Sequence, residues 1–152
     1  MDVAVNPLAD LAAWQRLIDG YAPLLEPLAE GTGVGVVARF FVDATGARRA
    51  AAMPATPSLP LLEWRKRDGR MRAEEGAYRG LADVGVDLLF LADEGALEAV
   101  LAREEHPLGE MKRQLRASRI QFFVFRTKLE LRDLGYEDFV EALGLPFLGA
   151  CR

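Results

Sequence analysis

Apolar residues recur at three- and four-residue steps through the first part of the chain: Leu8, Leu11, Trp14, Leu17, Ile18, Tyr21 and Leu25. That spacing lays one apolar stripe along a helix. Asn6-Pro7 is a start signal ahead of it, because asparagine accepts from the first free amides and proline suits the first helical position. Gly20, Pro23 and Pro27 interrupt the stripe, which predicts a long helix followed by a short one, ending at Gly31-Thr32-Gly33.

The pattern then changes to one of strands. Residues 34–42 are rich in Val and Phe, and Asp43-Ala44-Thr45-Gly46 reads as a hairpin loop leading to a returning strand over 47–53. Pro54, Pro57 and Pro60 predict an irregular connection, since proline cannot donate to a ladder. Leu61 to Lys66 and Arg70 to Glu74 form a second hairpin around Asp68-Gly69. Val84 to Leu91 is apolar enough for a central strand.

Asp93 is the expected N-cap of a helix carrying Leu97, Val100 and Leu101, and Pro107 opens another with Leu108, Met111 and Leu115 on one side. Arg119 to Arg126 is the clearest strand: Ile120, Phe122 and Val124 face one way, Phe123 and Phe125 the other. Apolar residues on both sides predict a strand sandwiched between two layers. A closing helix runs from Tyr136 to Leu143 and stops at Gly144.

The expected fold class is α+β: a single layer of about five mostly antiparallel strands covered by helices, in the order helix-β-β-β-β-β-α-α-β-α. The 152 residues suit one domain over 1–152, with an ordered core from about 7 to 148. Such a chain buries roughly 70% of its unfolded surface. No internal repeat or low-complexity tract divides it.

Composition narrows the classes of function. Hydrophobic residues make up 51% and charged residues 28%, with a formal net charge of −4. That field does not suit phosphate backbones, and the one basic cluster (Arg65, Lys66, Arg67, Arg70 and Arg72) is interrupted by Asp68-Gly69 and reads as a polar hairpin face. No nucleic acid is expected as a partner. Cys151 is the only cysteine, so neither an internal disulfide nor a CxxC site is available. The N-terminus lacks the pattern of a signal peptide, and no stretch reaches the ~18 apolar residues of a membrane span. A cytoplasmic protein is the expectation.

Candidate chemistry is sparse. Gly31-Thr32-Gly33-Val34-Gly35 follows a helix and precedes a strand, the reverse of a phosphate loop, so it reads as a turn. His106 is the only histidine; with Glu104, Glu105 and Glu110 nearby it falls short of a zinc ligand set, and no metal, cofactor or catalytic residue is expected. Glu137 and Glu141 share a helix face towards solvent. Asp83 and Asp87 bracket a strand start; Asp87 reads as an edge or hydrogen-bonded aspartate in preference to a buried base. What is abundant is apolar surface: Leu97, Leu101, Leu108, Met111, Leu115, Phe122, Phe123, Phe125, Phe139 and Leu143 are candidates to line a cavity between sheet and helices. The same residue types also make a filled core, and both arrangements stay open at this level.

Ala82-Asp83-Val84-Gly85-Val86-Asp87-Leu88 leads into Ala92-Asp93-Glu94-Gly95-Ala96-Leu97, then Leu101, Pro107 and Ser118-Arg119-Ile120. This order resembles the C-terminal half of sterol carrier protein-like domains, and the helix and two hairpins before it have the family's order too, so the resemblance spans about residues 10–145. Two positions depart from it: Ser118 stands where a glycine usually precedes the late strand, and Arg126-Thr127-Lys128 replace the paired glycines that often follow it. The resemblance implies an α+β layer sheltering a lipid or other apolar small molecule, without a catalytic residue. The second expectation, of a different class, is a regulatory or protein-interaction module acting as a homodimer with a filled core.

Overall fold

The computed structural model describes residues 8, 10–38, 40–42, 48–50, 59–80, 84–93, 95–103 and 105–145. Its elements are α1 (Leu11–Gly20), α2 (Ala22–Leu25), β1 (Gly33–Ala38), β2 (Phe40–Val42), β3 (Arg48–Ala50), β4 (Leu59–Arg67), β5 (Arg70–Tyr78), β6 (Leu88–Ala92), α3 (Ala96–Ala102), α4 (Pro107–Arg116), β7 (Ile120–Val124), α5 (Lys128–Leu134) and α6 (Glu137–Ala142). The main sheet has five strands in the order β5-β4-β1-β6-β7, and β2 pairs with β3 separately. Three of its four pairings are antiparallel; β1 and β6 run parallel. The α+β class, the five-stranded layer and its mostly antiparallel character are as expected.

The helices lie on one face of this sheet. Val34 and Val36 of β1, Leu62 and Trp64 of β4, Leu88 and Phe90 of β6 and Ile120 of β7 join Trp14, Ile18, Met111, Phe139 and Leu143 in one buried cluster. Trp64 sits between Trp14 and Phe139, with ring centroids 6.1 and 6.0 Å away, within the range of favourable aromatic packing. The alternate residues Val37, Leu61, Tyr78, Leu89 and Leu91 form a second buried cluster on the opposite face. Strand alternation thus sorts one hydrophobic run onto two faces.

Local signals explain most boundaries and correct several. The start signal at Asn6-Pro7 lies outside the described residues; α1 begins after Asp10, whose carboxylate accepts from the Ala13 amide at 3.1 Å. The strand expected over 34–42 is two, β1 and β2, and the loop expected at 43–46 lies outside the described residues. Pro54 and Pro57 also lie outside them, but Pro60 is inside β4, exposed and opposite Ala77. It is tolerated there because it is the second residue of the strand. The hairpin at Asp68-Gly69 is as expected, with both turn residues at positive φ (54° and 77°).

Further along, only 88–92 of the strand expected from Val84 is ladder, and it is central and fully buried. The N-cap position of α3 is Gly95, not Asp93; Asp93 contributes its carbonyl to the Ala96 amide. The late strand, expected between two apolar layers, is instead the edge of the sheet, with Ile120 buried, Gln121 to Phe123 half-buried and Val124 exposed. A helix absent from the expected order, α5, follows it. Thr127 accepts from the Glu130 amide while Glu130 accepts from the Thr127 amide, a capping box that satisfies two orphan donors at once.

Candidate functional site

The ten residues expected to line one cavity are not all brought together. Leu97, Leu108, Met111, Phe139 and Leu143 are between 0% and 5% exposed and belong to the main core, with Leu101, Leu115 and Phe122 packed half-buried against it. Phe123 points to the other face of the sheet and packs on the second cluster. Phe125 lies beyond the end of β7 and is 36% exposed.

Three of the ten, Leu115, Phe122 and Phe123, open onto a groove of about 390 Å³ that Ser118, Ile120, Gln121 and Leu145 complete. The groove exists because β7 is an edge strand: α4 delivers Leu115 to one side, and Leu145 arrives after α6. Ser118 makes the reversal between α4 and β7 at φ 62°, its amide bonded to the Leu115 carbonyl at 3.1 Å. That left-handed conformation is the physical reason a glycine was expected at this position. Leu101 lies elsewhere, on a cleft of about 310 Å³ with Ala13, Leu17 and Val100 between α1 and α3.

A second constellation is polar. Asp87, just before β6, is buried, and its carboxylate accepts three hydrogen bonds: from the Gly33 amide at 3.1 Å, from the Tyr136 hydroxyl at 2.7 Å and from Arg126 Nε at 2.7 Å. Its main chain is engaged too, the amide donating to Gly33 and the carbonyl accepting from Phe125. Burial, and then the hydrogen bond to Asp87, push the Tyr136 phenol well above the ordinary tyrosine range. Hydrogen bonding and charge from Asp87 raise the Arg126 guanidinium. A recess of about 360 Å³ lined by Thr32, Asp87, Arg126, Glu130 and Leu134 adjoins it. Arg126, in place of one of the expected glycines, thus neutralises a buried carboxylate. The Asp87 reading as a hydrogen-bonded residue holds; that Arg126 and Tyr136 are its partners was not visible, since they lie 39 and 49 positions away.

The basic hairpin is less uniformly polar than expected. Lys66 is 5% exposed on the helix side and donates to the Leu25 and Glu26 carbonyls at 3.0 and 3.1 Å. Arg65 crosses above Gly33, where a Cβ would sit 2.5 Å from the guanidinium, and reaches the Gly31 and Gly85 carbonyls. Arg67 pairs with Glu74, and Arg70 with Asp19. His106 is exposed at the N-cap position of α4, and Glu137 and Glu141 are exposed on α6. Cys151, Asp83 and Glu104 lie outside the described residues. Among the described residues no three His, Cys, Asp or Glu side chains group as a metal site would need, and no helix is long and apolar enough to cross a membrane.

No family model matches the chain, and no curated protein matches it. Among solved structures it is similar to a conserved hypothetical protein of Thermus thermophilus proposed to be a sterol carrier protein. That match has 17% identity and a TM-score of 0.42, over 94% of this chain and 88% of the other. It is also similar to a UbiJ-SCP2 ubiquinone synthesis protein, with 11% identity and a TM-score of 0.39, over 88% of this chain and 92% of the other.

Proposed function

We propose that this protein is a non-catalytic binder of a small lipid-like molecule, and that an apolar chain lies in the groove along β7. The observation that carries the reading is the lining of that groove. Leu115, Ile120, Phe122, Phe123 and Leu145 surround about 390 Å³, with Ser118 and Gln121 as polar groups at its margin. Mostly apolar walls with few polar groups, in a volume within the roughly 300–1,000 Å³ of small-molecule sites, suit an acyl chain. Each methylene that the groove removes from water contributes up to about 0.8 kcal/mol against the cost of association. The sequence resemblance of residues 82–120 to sterol carrier domains points the same way.

Native mass spectrometry of the purified chain, then titration with a fluorescent fatty acid, tests the proposal. A co-purified apolar ligand, or a saturable signal that competes with unlabelled fatty acid, is expected. Absence of both ends it. The second reading, a homodimeric interaction module, has one observation in its favour: β7 is an open edge with neither charge nor proline within Ile120–Val124. Light scattering separates the two, since a tight dimer that takes up no fatty acid supports only the second.

A further inference from the structure

Lys66 is 5% exposed, and the Leu25 and Glu26 carbonyls take two of the three protons that an ammonium can donate. The third has no acceptor, and no carboxylate stands within ion-pair distance of Lys66, among the described residues. Glu30 feels its charge but spends its two oxygens on the Asp68 and Gly69 amides. A buried ammonium without a counter-ion is costly to keep. Lys66 forms part of the wall of a pocket of about 300 Å³ between the α1–α2 segment and the β4–β5 turn. Ile18, Leu25 and Met71, all buried, give that pocket an apolar floor. Its other charged groups are Asp19, Arg70 and Glu26. Asp19 is engaged, since it pairs with Arg70 at 3.1 Å and accepts from Gln15. The Glu26 carboxylate is exposed and makes no hydrogen bond or ion pair among the described residues. One cation and one anion are therefore left uncompensated around an apolar floor.

We propose that this pocket binds a small apolar α-amino acid as its zwitterion. The third proton of Lys66 goes to the ligand carboxylate, Glu26 takes the ligand ammonium, and the aliphatic side chain rests on Ile18, Leu25 and Met71. A ligand carrying only a carboxylate meets repulsion from Glu26, and one carrying only an amine meets repulsion from Lys66. A molecule with both charges close together answers both groups. The volume stands at the lower end of the roughly 300–1,000 Å³ of small-molecule sites, which suits a branched aliphatic amino acid. The pocket is separate from the groove along β7, and the proposal holds whether or not that groove takes a ligand.

Calorimetric titration of the full chain with L-leucine, 4-methylpentanoate and 3-methylbutylamine tests it. Leucine is expected to bind saturably, and the acid and the amine, which each lack one charge, about tenfold or more weaker. Glu26→Gln alters an exposed side chain, so it is expected to keep the urea midpoint while weakening leucine about tenfold and sparing 4-methylpentanoate. Lys66→Met keeps the aliphatic stem and is expected to abolish binding of leucine; should it fail to fold, Glu26→Gln decides alone. Amide NMR shifts on adding leucine are expected at Leu25, Glu26 and Met71. No saturable heat with leucine at millimolar concentration, equal affinity for leucine and 4-methylpentanoate, leucine binding unchanged by Glu26→Gln, or shifts confined to β7 overturns the proposal.

Discussion

The hydroxyl of Tyr136 lies 2.7 Å from the Asp87 carboxylate and 3.1 Å from the Gly33 carbonyl. It holds the entrance of α6 against the points where β1 and β6 begin. With the Gly33 amide and Arg126 also on Asp87, one carboxylate ties together four segments far apart in sequence. Charge-assisted hydrogen bonds of this kind are stronger than neutral ones, and buried they are costly to leave half-made.

Removing either partner should therefore be unequal in effect. Tyr136→Phe deletes one of three donors and is expected to cost about 1–2 kcal/mol. Asp87→Ala leaves an amide, a phenol and a guanidinium without their acceptor and is expected to cost about 3 kcal/mol or more. Urea unfolding measures both; an Asp87→Ala midpoint equal to that of Tyr136→Phe would show that the carboxylate is not the hub.

Stability should depend on pH through two groups with opposite signs. The fold raises the Tyr136 phenol above its ordinary 10.0, so its contribution is complete below that value and lost as pH rises beyond it. Glu30 is held below its ordinary 4.5 by the Gly69 and Asp68 amides, so its contribution is present above that pH and lost as pH falls below it. Tyr136→Phe is expected to flatten the alkaline limb of stability against pH, and Glu30→Gln the acid limb. Urea midpoints across the pH range test this, and unchanged slopes would contradict it.

Gly135 closes α5 at φ 93°, and a Cβ there would sit 2.1 Å from the Pro27 carbonyl oxygen. The obstacle is backbone, so no side chain can swing aside. Gly135→Ala combines left-handed strain with this overlap and is expected to cost about 3 kcal/mol or more. A thermal midpoint near that of the parent protein would refute the close approach of α5 to the segment after α2.

Tyr78 offers a case of the opposite sign. Its ring is fully buried in the second cluster, its hydroxyl has no hydrogen-bond partner among the described residues, and burial pushes the phenol up. Tyr78→Phe removes the unsatisfied oxygen and keeps the ring, so it should stabilise the protein by about 1 kcal/mol. A destabilised variant would mean that the hydroxyl has an acceptor in solution.

For the groove, Leu145→Trp adds bulk at a half-buried wall residue outside the fully buried core. It is expected to reduce fatty acid affinity about tenfold by filling the space, with little change in stability. Leu101→Trp, on the separate cleft between α1 and α3, should leave that affinity unchanged. If the two variants behave alike, the ligand does not lie along β7.

Much of this architecture was legible before folding. The stripe from Leu8 to Leu25, the Asp68-Gly69 turn, Pro107 as a helix opener and Gly144 as a stop are decided by local sterics and short-range hydrogen bonds. The signal for α5 lies in the sequence too, since Thr127-Lys128-Leu129-Glu130 has the spacing of a capping box. The candidate site was less legible. Of the ten apolar residues expected there the core takes five, and Leu145 and Ser118 were not among those expected to line it.

Residue order and periodicity alone established an α+β chain, its helix-then-hairpins opening and which side chains seek burial, because those follow from propensities acting over a few neighbours. Strand neighbours, the edge position of β7 and the joining of Asp87 to Tyr136 and Arg126 depend on contacts between residues tens of positions apart. An apolar strand reads the same in the middle of a sheet and at its border. Whether Phe122 meets a wall or an open groove is settled only when the whole sheet has chosen its order.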